Sequence, residues 1–165
     1  MSASDIALRR LAARLGRRLL ASGETVTAAE SCTGGWIAKA LTDVAGSSQW
    51  FGEGFVTYGN EAKRRSLGVP RAVLEAHGAV SAPVVRAMAA GALRRSRAGM
   101  AVAVSGIAGP GGATPGKPVG TVWLCWMSRG ARAPCAIVQL RHFRGDREAV
   151  RRKTVRLALQ GLLAL

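Results

Sequence analysis

The chain has 165 residues, of which 48% are hydrophobic, so it is long enough to bury a core as one domain over residues 1–165. No apolar stretch approaches the roughly 20 residues needed to cross a bilayer, which argues against a membrane protein. The formal net charge is +15, but twenty arginines and four lysines are spread along the chain. Aromatic residues are scarce, so binding to nucleic acid is not expected, whereas attraction to phosphates is.

Cysteines and histidines predict neither a metal site nor a disulfide framework. Cys32, Cys125 and Cys135 are odd in number and lack the spacing of metal ligands. His77 and His142 are isolated from paired carboxylates, so a Ser-His-Asp triad is not predicted either. We expect no cofactor and a reducing, cytoplasmic setting. Arginines and leucines alternate near the N-terminus in the pattern of an amphipathic helix rather than of a signal peptide.

The N-terminal half of the chain alternates helical and strand patterns, as three-layer α/β domains do. Glycines and prolines mark the ends of these segments. The predicted elements are a helix over about 5–22 that ends at Gly23, a strand over 25–30, a helix over about 34–44, a strand over 51–57, a short helix from Asn60 to before Gly68, and a helical turn from Pro70 to Gly78.

The C-terminal half combines a long helix, a buried strand and a hairpin. Met100 to Val104 is a continuous apolar run, which is typical of a central strand covered on both faces. The other predicted elements are a helix to about Ser96 with Ser81 as its cap and Pro83 in its first turn, a Gly- and Pro-rich loop over 105–118, a hairpin of strands 121–127 and 135–142 joined by a basic turn, and a final helix capped by Asp146.

The run from Thr27 to Gly35 joins the first strand to the second helix through small residues. Such a turn leaves backbone N–H groups without partners at the positive end of the helix dipole, where they suit an oxyanion or a phosphate. Ser31, Cys32 and Thr33 bring two hydroxyls and a thiol into the same turn, so a nucleophile could lie beside its own anion site. A structural junction with a threonine cap and two closely packed glycines explains the same pattern.

Three more polar segments follow strands, and open α/β sheets bind ligands at the carboxyl ends of their strands. Lys63 is either a solvated member of a charge run or, if it is buried beside a serine, a general base. Tyr58, the only tyrosine, either packs its ring at a strand end or relays a proton. The loop over 105–112 is an irregular connection or an anion nest, and it lacks the ending of a phosphate loop. Arg147 is a surface residue or an anion ligand at the start of the last helix.

Six short motifs occur in order along the chain: 29–35 (AESCTGG), 58–63 (YGNEAK), 77–81 (HGAVS), 105–110 (SGIAGP), 117–122 (KPVGTV) and 145–147 (GDR). Together they resemble the CinA C-terminal domain family, in its stand-alone nicotinamide-nucleotide amidase form. The resemblance extends over about residues 6–160. It implies a three-layer α/β/α sandwich with a mixed, mostly parallel sheet, similar to anticodon-binding-like domains.

The resemblance also implies an activity, the hydrolysis of nicotinamide mononucleotide to nicotinate mononucleotide and ammonia, without metal or cofactor. Ser31 would attack the carboxamide, Lys63 would be the base, and Tyr58 a relay. We prefer Ser31 to Cys32 because serine–lysine chemistry gives Lys63 a role. Backbone amides around Thr33, Gly34 and Gly35 would stabilise the oxyanion. Substrate would be bound by Asn60, Ser105, Gly106, Ala108, Gly109, Gly111 and Arg147.

The chain departs from the family pattern at three positions. The family often has serine at the position of Gly59, an acidic residue at that of Ala82 and serine at that of Arg144, so the substrate preference could differ.

The alternative function is that of a non-catalytic nucleotide- or DNA-binding protein associated with competence or damage, as the charge and the family name suggest. A homo-oligomer is expected, with the amphipathic N-terminal helix as a candidate contact surface.

Overall fold

A computed structural model describes residues 3–130 and 135–165. The predicted helices and strands are all present, with ends that differ by a few residues; part of the predicted hairpin turn, 131–134, lies outside the described residues. The elements are α1 Ala3–Ser22, β1 Val26–Glu30, α2 Trp36–Thr42, β2 Phe51–Val56, α3 Asn60–Leu67, α4 Arg71–His77, α5 Ala82–Ser96, β3 Met100–Gly106, β4 Thr121–Ser128, β5 Cys135–His142 and α6 Arg147–Ala164, with a 3-10 turn at Ser47–Gln49.

The strands form one mixed sheet in the order β2-β1-β3-β4-β5. β1 pairs in parallel with β2 and with β3, whereas β4 is antiparallel to both β3 and β5. Four of the five strands therefore run in the same direction. The parallel trio β1, β2 and β3 ends at one edge of the sheet, which brings the segments that follow these strands together.

Helices cover both faces of the sheet, so the predicted three-layer sandwich is confirmed. On one face α1, α2 and α6 pack on alternate strand residues such as Ala28 and Val102. On the other face α3, α4 and α5 pack on the intervening residues, among them Ala29 and Ala103. The central strand β3 is buried on both sides, as its continuous apolar sequence predicts.

Two predicted helix caps have different outcomes. The Asp146 carboxylate accepts a hydrogen bond from the N–H of Ala149 at 2.8 Å, which confirms that cap. Ser81 occupies the expected position before α5, but its hydroxyl makes no capping bond. It donates instead to the carbonyl of Gly78 at 2.8 Å, so it stabilises the preceding loop.

Candidate active site

The turn after β1 is organised by a buried carboxylate. Glu30, the last residue of β1, is 1% exposed. Its carboxylate accepts hydrogen bonds from the N–H groups of Gly35 at 3.0 Å, Ile37 at 3.0 Å and Ala38 at 2.8 Å. The protein's own anion therefore occupies the start of α2, where the sequence pattern suggested a site for an external one.

This carboxylate changes the interpretation of the two glycines. Gly34 and Gly35 adopt positive φ angles of 60° and 94°, which glycine tolerates and which turn the chain sharply into α2. The N–H of Gly34 donates to the carbonyl of Ser31 at 3.1 Å, and that of Gly35 is held by Glu30. Neither amide is available to an oxyanion here, in contrast to the expectation from the sequence.

Two other amides of the same turn are available. Within the described part of the chain, the N–H groups of Cys32 and Thr33 donate to no backbone carbonyl, and the N–H of Cys32 lies beside its own thiol. The hydroxyl of Thr33 is buried without a partner. Unpaired buried donors are rare in proteins, and each needs an explanation such as a bound ligand or water.

Ser31 and Lys63 lie in direct contact, although they are distant in the sequence. The Lys63 Nζ is 3.1 Å from the Ser31 Oγ, and it donates to the carbonyls of Thr57 at 2.8 Å and Tyr58 at 3.2 Å. Lys63 is 1% exposed and Ser31 is 8% exposed. The two carbonyls orient the amine, so that its remaining position faces the serine hydroxyl.

Burial sets the protonation of this amine. Desolvation lowers the pKa of Lys63 from 10.5 to about 8, and within the described part of the chain no carboxylate pairs with it. A substantial fraction of the amine is therefore neutral near pH 8. Lys63 is therefore not a solvated member of a charge run, and its buried surroundings suit a general base.

Cys32 lies beside Ser31 but in a different electrostatic environment. Its thiol is 4% exposed, and burial, aided by the charge of Glu30, raises its pKa to about 12. The thiol therefore stays protonated at neutral pH. Because the thiolate is the nucleophilic form of cysteine, this environment favours Ser31 as the nucleophile of the turn.

A cavity of about 270 Å³ opens at Ser31 and Lys63. Most of the residues predicted to bind substrate line it, as do several of their neighbours in the chain. Ser105 is buried there, but its hydroxyl donates to the carbonyl of Ala79 at 2.8 Å and so ties two lining segments together. The lining is completed by Cys32, Tyr58, Ala79, Val80, Gly106, Ile107, Ala108, Gly109, Gly111, Gly112 and Arg147.

Arg147 and Tyr58 meet at the rim of this cavity. The guanidinium of Arg147 donates to the Tyr58 Oη at 2.9 Å and to the carbonyl of Gly109 at 2.7 Å. Tyr58 is 60% exposed, and its hydroxyl makes no hydrogen bond to Ser31 or Lys63 in the described structure. This geometry differs from the relay expected of Tyr58 and puts its ring next to the cationic rim.

Three other positions from the sequence analysis lie outside the cavity. Asn60 lies at the start of α3, in a separate depression with Glu61 and Arg64. Arg144 is exposed and does not line the cavity. Gly59 is exposed too, and a Cβ built there meets no atom within 4 Å, so a side chain would fit.

Two residues of this site were missed in the sequence. Glu30 is a lone acidic residue at the end of a buried strand and before two glycines, a pattern that indicates an internal helix cap. Arg151 donates to the carbonyls of Cys32 at 3.2 Å and Thr33 at 2.7 Å. It lies one helical turn after Arg147, so helical spacing indicated that both face the same way.

In the described ranges 3–130 and 135–165, no three His, Cys, Asp or Glu side chains cluster so as to hold a metal ion. His142 Nδ1 is 3.2 Å from the Thr121 hydroxyl, away from Ser31. Across the same ranges no helix combines the length and apolarity of a membrane span.

Known proteins share the six motifs' family resemblance with this chain at the level of whole domains. A sequence model of the CinA C-terminal domain matches residues 8–165. The chain belongs to the CinA C-terminal domain family. The predicted family resemblance is thus confirmed.

Curated relatives of this CinA C-terminal domain match it over nearly its full length. It is 54% identical over 159 residues to the nicotinamide-nucleotide amidohydrolase PncC of Escherichia coli K12, covering 96% of this chain and 94% of that protein. It is 57% identical over 155 residues to the protein of the same name from Pseudomonas putida, covering 94% of each. Among solved structures, the competence/damage inducible protein CihA from Agrobacterium tumefaciens superposes with a TM-score of 0.90 at 47% identity, covering 95% of this chain and 94% of that one.

Proposed function

We propose that this protein hydrolyses the carboxamide of nicotinamide mononucleotide, giving nicotinate mononucleotide and ammonia. The observation that carries the proposal is the buried contact between the Lys63 amine and the Ser31 hydroxyl, which lie 3.1 Å apart and line the same cavity. Relatives that are 54% and 57% identical are named nicotinamide-nucleotide amidohydrolases, which supports a nicotinamide nucleotide as the substrate. The reaction belongs to the salvage of pyridine nucleotides.

In the first step Ser31 Oγ attacks the carboxamide carbon, and the neutral Lys63 amine takes the hydroxyl proton. Two N–H groups of the amine stay bound to the carbonyls of Thr57 and Tyr58, so its lone pair remains directed at the serine. When the tetrahedral intermediate collapses, the C–N bond breaks and Lys63 returns the proton to the leaving nitrogen. Ammonia and a Ser31 acyl ester result.

In the second step a water molecule attacks the ester carbon while Lys63 again accepts a proton. The bond between the ester carbon and Ser31 Oγ breaks, the serine recovers its proton from Lys63, and the carboxylic acid product leaves and loses its remaining proton to solvent. One water is consumed and one ammonia is released, and no redox change occurs. One lysine thus acts as base and acid in both halves of the reaction.

The oxyanion needs donors close to Ser31. We assign this role to the N–H groups of Cys32 and Thr33, which donate to no backbone carbonyl in the described structure, instead of to the engaged amides of Gly34 and Gly35. In comparable sites, one such donor contributes about 3 kcal/mol to stabilisation of the transition state.

The rest of the cavity would hold the ribose and the 5′-phosphate. Arg147 is the cation at its rim, and the glycine-containing loop from Gly106 to Gly112 borders the same space. Guanidinium groups and exposed loop amides are common ligands of phosphate. We therefore assign the phosphate to Arg147 and the sugar to the loop. Tyr58 would contribute its ring at the rim, and Asn60 is left out of the site.

Ammonia release from nicotinamide mononucleotide tests the proposal. We expect turnover by the wild-type protein, none above background with Ser31→Ala, and activity within about tenfold of wild type with Cys32→Ala as the matched control, because the protonated thiol is not required. Wild-type turnover by Ser31→Ala would contradict the mechanism. Absence of turnover in the wild type, together with steeply salt-dependent binding to DNA, would favour the non-catalytic alternative. The homo-oligomer and the cytoplasmic location remain predictions.

A further inference from the structure

One arginine from a distant helix holds the turn that carries Ser31. Arg151 lies in α6, more than 100 positions along the chain from this turn. Its Nε donates to the carbonyl of Cys32 at 3.2 Å and its Nη2 to the carbonyl of Thr33 at 2.7 Å. The guanidinium therefore binds two consecutive peptide groups directly after the nucleophile.

The adjacent arginine offers a natural comparison. The guanidinium carbons of Arg151 and Arg152 lie 5.3 Å and 4.8 Å from the centre of the Trp36 ring, so both stack on the same indole. Arg152, however, pairs with the carboxylates of Asp5 and Glu148, and among the described residues it makes no hydrogen bond to the Ser31 turn. The two side chains share a helix, a charge and a stacking partner, and they differ in this contact.

We propose that Arg151 is a positioning residue for the reaction at Ser31, an inference that rests on the nucleophile of the proposed function. Each peptide is planar and trans, so a carbonyl held by Arg151 fixes the direction of the N–H on the opposite side of the same peptide. The Cys32 carbonyl shares its peptide with the N–H of Thr33, one of the two donors assigned to the oxyanion.

The permanent charge of Arg151 acts on the same peptide. A guanidinium bound to a carbonyl polarises the peptide and strengthens its N–H as a donor, as in other hydrogen-bonded chains. Its second bond, to the Thr33 carbonyl, keeps the next peptide in place, whose N–H on Gly34 closes the turn onto Ser31. Arg151 thereby restrains the donors and the nucleophile together, although among the described residues it neither lines the cavity nor makes a hydrogen bond to Ser31 Oγ.

Labelling of Ser31 by an alkyl fluorophosphonate tests this role without relying on the natural substrate. Ser31 Oγ forms a bond to phosphorus, fluoride leaves with the P–F electron pair, and the hydroxyl proton passes to Lys63, while the phosphoryl oxygen takes the oxyanion's position. The adduct at Ser31 is followed by intact-protein and peptide mass spectrometry. Arg151→Met is compared with Arg152→Met, which removes the same charge and the same stacking contact.

We expect Arg151→Met to slow labelling at least tenfold and Arg152→Met to stay within about twofold of wild type. The pH midpoint of labelling should stay unchanged in both, because Lys63 is untouched, and added guanidinium should restore part of the rate in Arg151→Met alone. Where nicotinamide mononucleotide is turned over, kcat should fall and KM should stay within about twofold.

Equal labelling rates for the two variants would overturn the inference, as would a shifted pH midpoint in Arg151→Met. If Arg151→Met does not fold, Arg151→Lys carries the test: its single ammonium cannot hold both carbonyls as the guanidinium does, and wild-type labelling would overturn the inference. Failure of the wild type to label at Ser31 overturns it together with the nucleophile assignment. If the wild type labels at Ser31 and Arg151→Met labels slowly, but no ammonia is released from nicotinamide mononucleotide, the positioning role of Arg151 stands and only the proposed substrate is rejected.

Discussion

The amine of Lys63 and the hydroxyl of Ser31 lie 3.1 Å apart and are both buried, yet they come from different layers of the molecule. Ser31 follows the strand β1, whereas Lys63 lies on the helix α3. The pair forms because β1 and β2 are parallel neighbours, so the segments that follow them share one edge of the sheet. Burial lowers the pKa of the Lys63 amine, so the amine can act as a base near neutral pH.

Replacing the lysine tests this relationship directly. Lys63→Met keeps the length and the apolar stem of the side chain but removes the amine, and we expect kcat for ammonia release to fall at least about 100-fold. The control is Lys39→Met, since Lys39 is an exposed lysine paired with Asp43. Activity of Lys63→Met close to that of the control would exclude the lysine as the base.

The pH dependence of activity follows from the lowered pKa of Lys63. The base must be neutral, and its pKa is about 8, so the reactive fraction increases as the pH rises towards that value. We expect kcat/KM to rise about tenfold per pH unit below pH 8 and to level off above it. Initial rates between pH 6 and 10 measure this, with melting temperatures recorded at each pH. A flat profile over that range would contradict the assignment.

The carboxylate of Glu30 is expected to contribute to stability. Glu30→Gln leaves one acceptor oxygen for three backbone N–H groups and adds a donor that faces them. We expect the free energy of unfolding to fall by about 1–3 kcal/mol, measured by urea denaturation. Glu53→Gln is the control, because Glu53 is exposed on β2 and should change stability by less than about 0.5 kcal/mol. Equal effects of the two substitutions would show that the internal cap adds little.

The phosphate site can be separated from the chemistry by comparing two substrates. With Arg147→Met we expect KM for nicotinamide mononucleotide to rise about tenfold or more, because a charge-assisted bond to phosphate is lost. KM for nicotinamide riboside, which has no phosphate, should stay within about twofold. Arg156→Met, an exposed arginine on the same helix, controls for the change in net charge. A parallel loss with both substrates would assign Arg147 a role in shaping the cavity instead.

Features that depend on neighbours along the chain were predictable. The apolar run from Met100 to Val104 identified the central strand, and the two strands after the glycine-rich loop were identified as a hairpin. Asp146 was identified as a helix cap because the capping bond spans only three residues. The candidate nucleophile turn was located for the same reason, since its small residues and glycines favour a strand-to-helix junction locally.

The local sequence thus determines which segments become strands, helices and turns, and it places Ser31 in a turn. It leaves open whether Lys63 is solvated and whether the amides before α2 are free. The packed structure decides both: α3 buries the amine against Ser31, 32 positions away, and the Glu30 carboxylate takes the amides of α2. The physical reason is that desolvation and hydrogen-bond partners depend on which groups surround an atom in space. Periodicity along the chain carries no information about those groups.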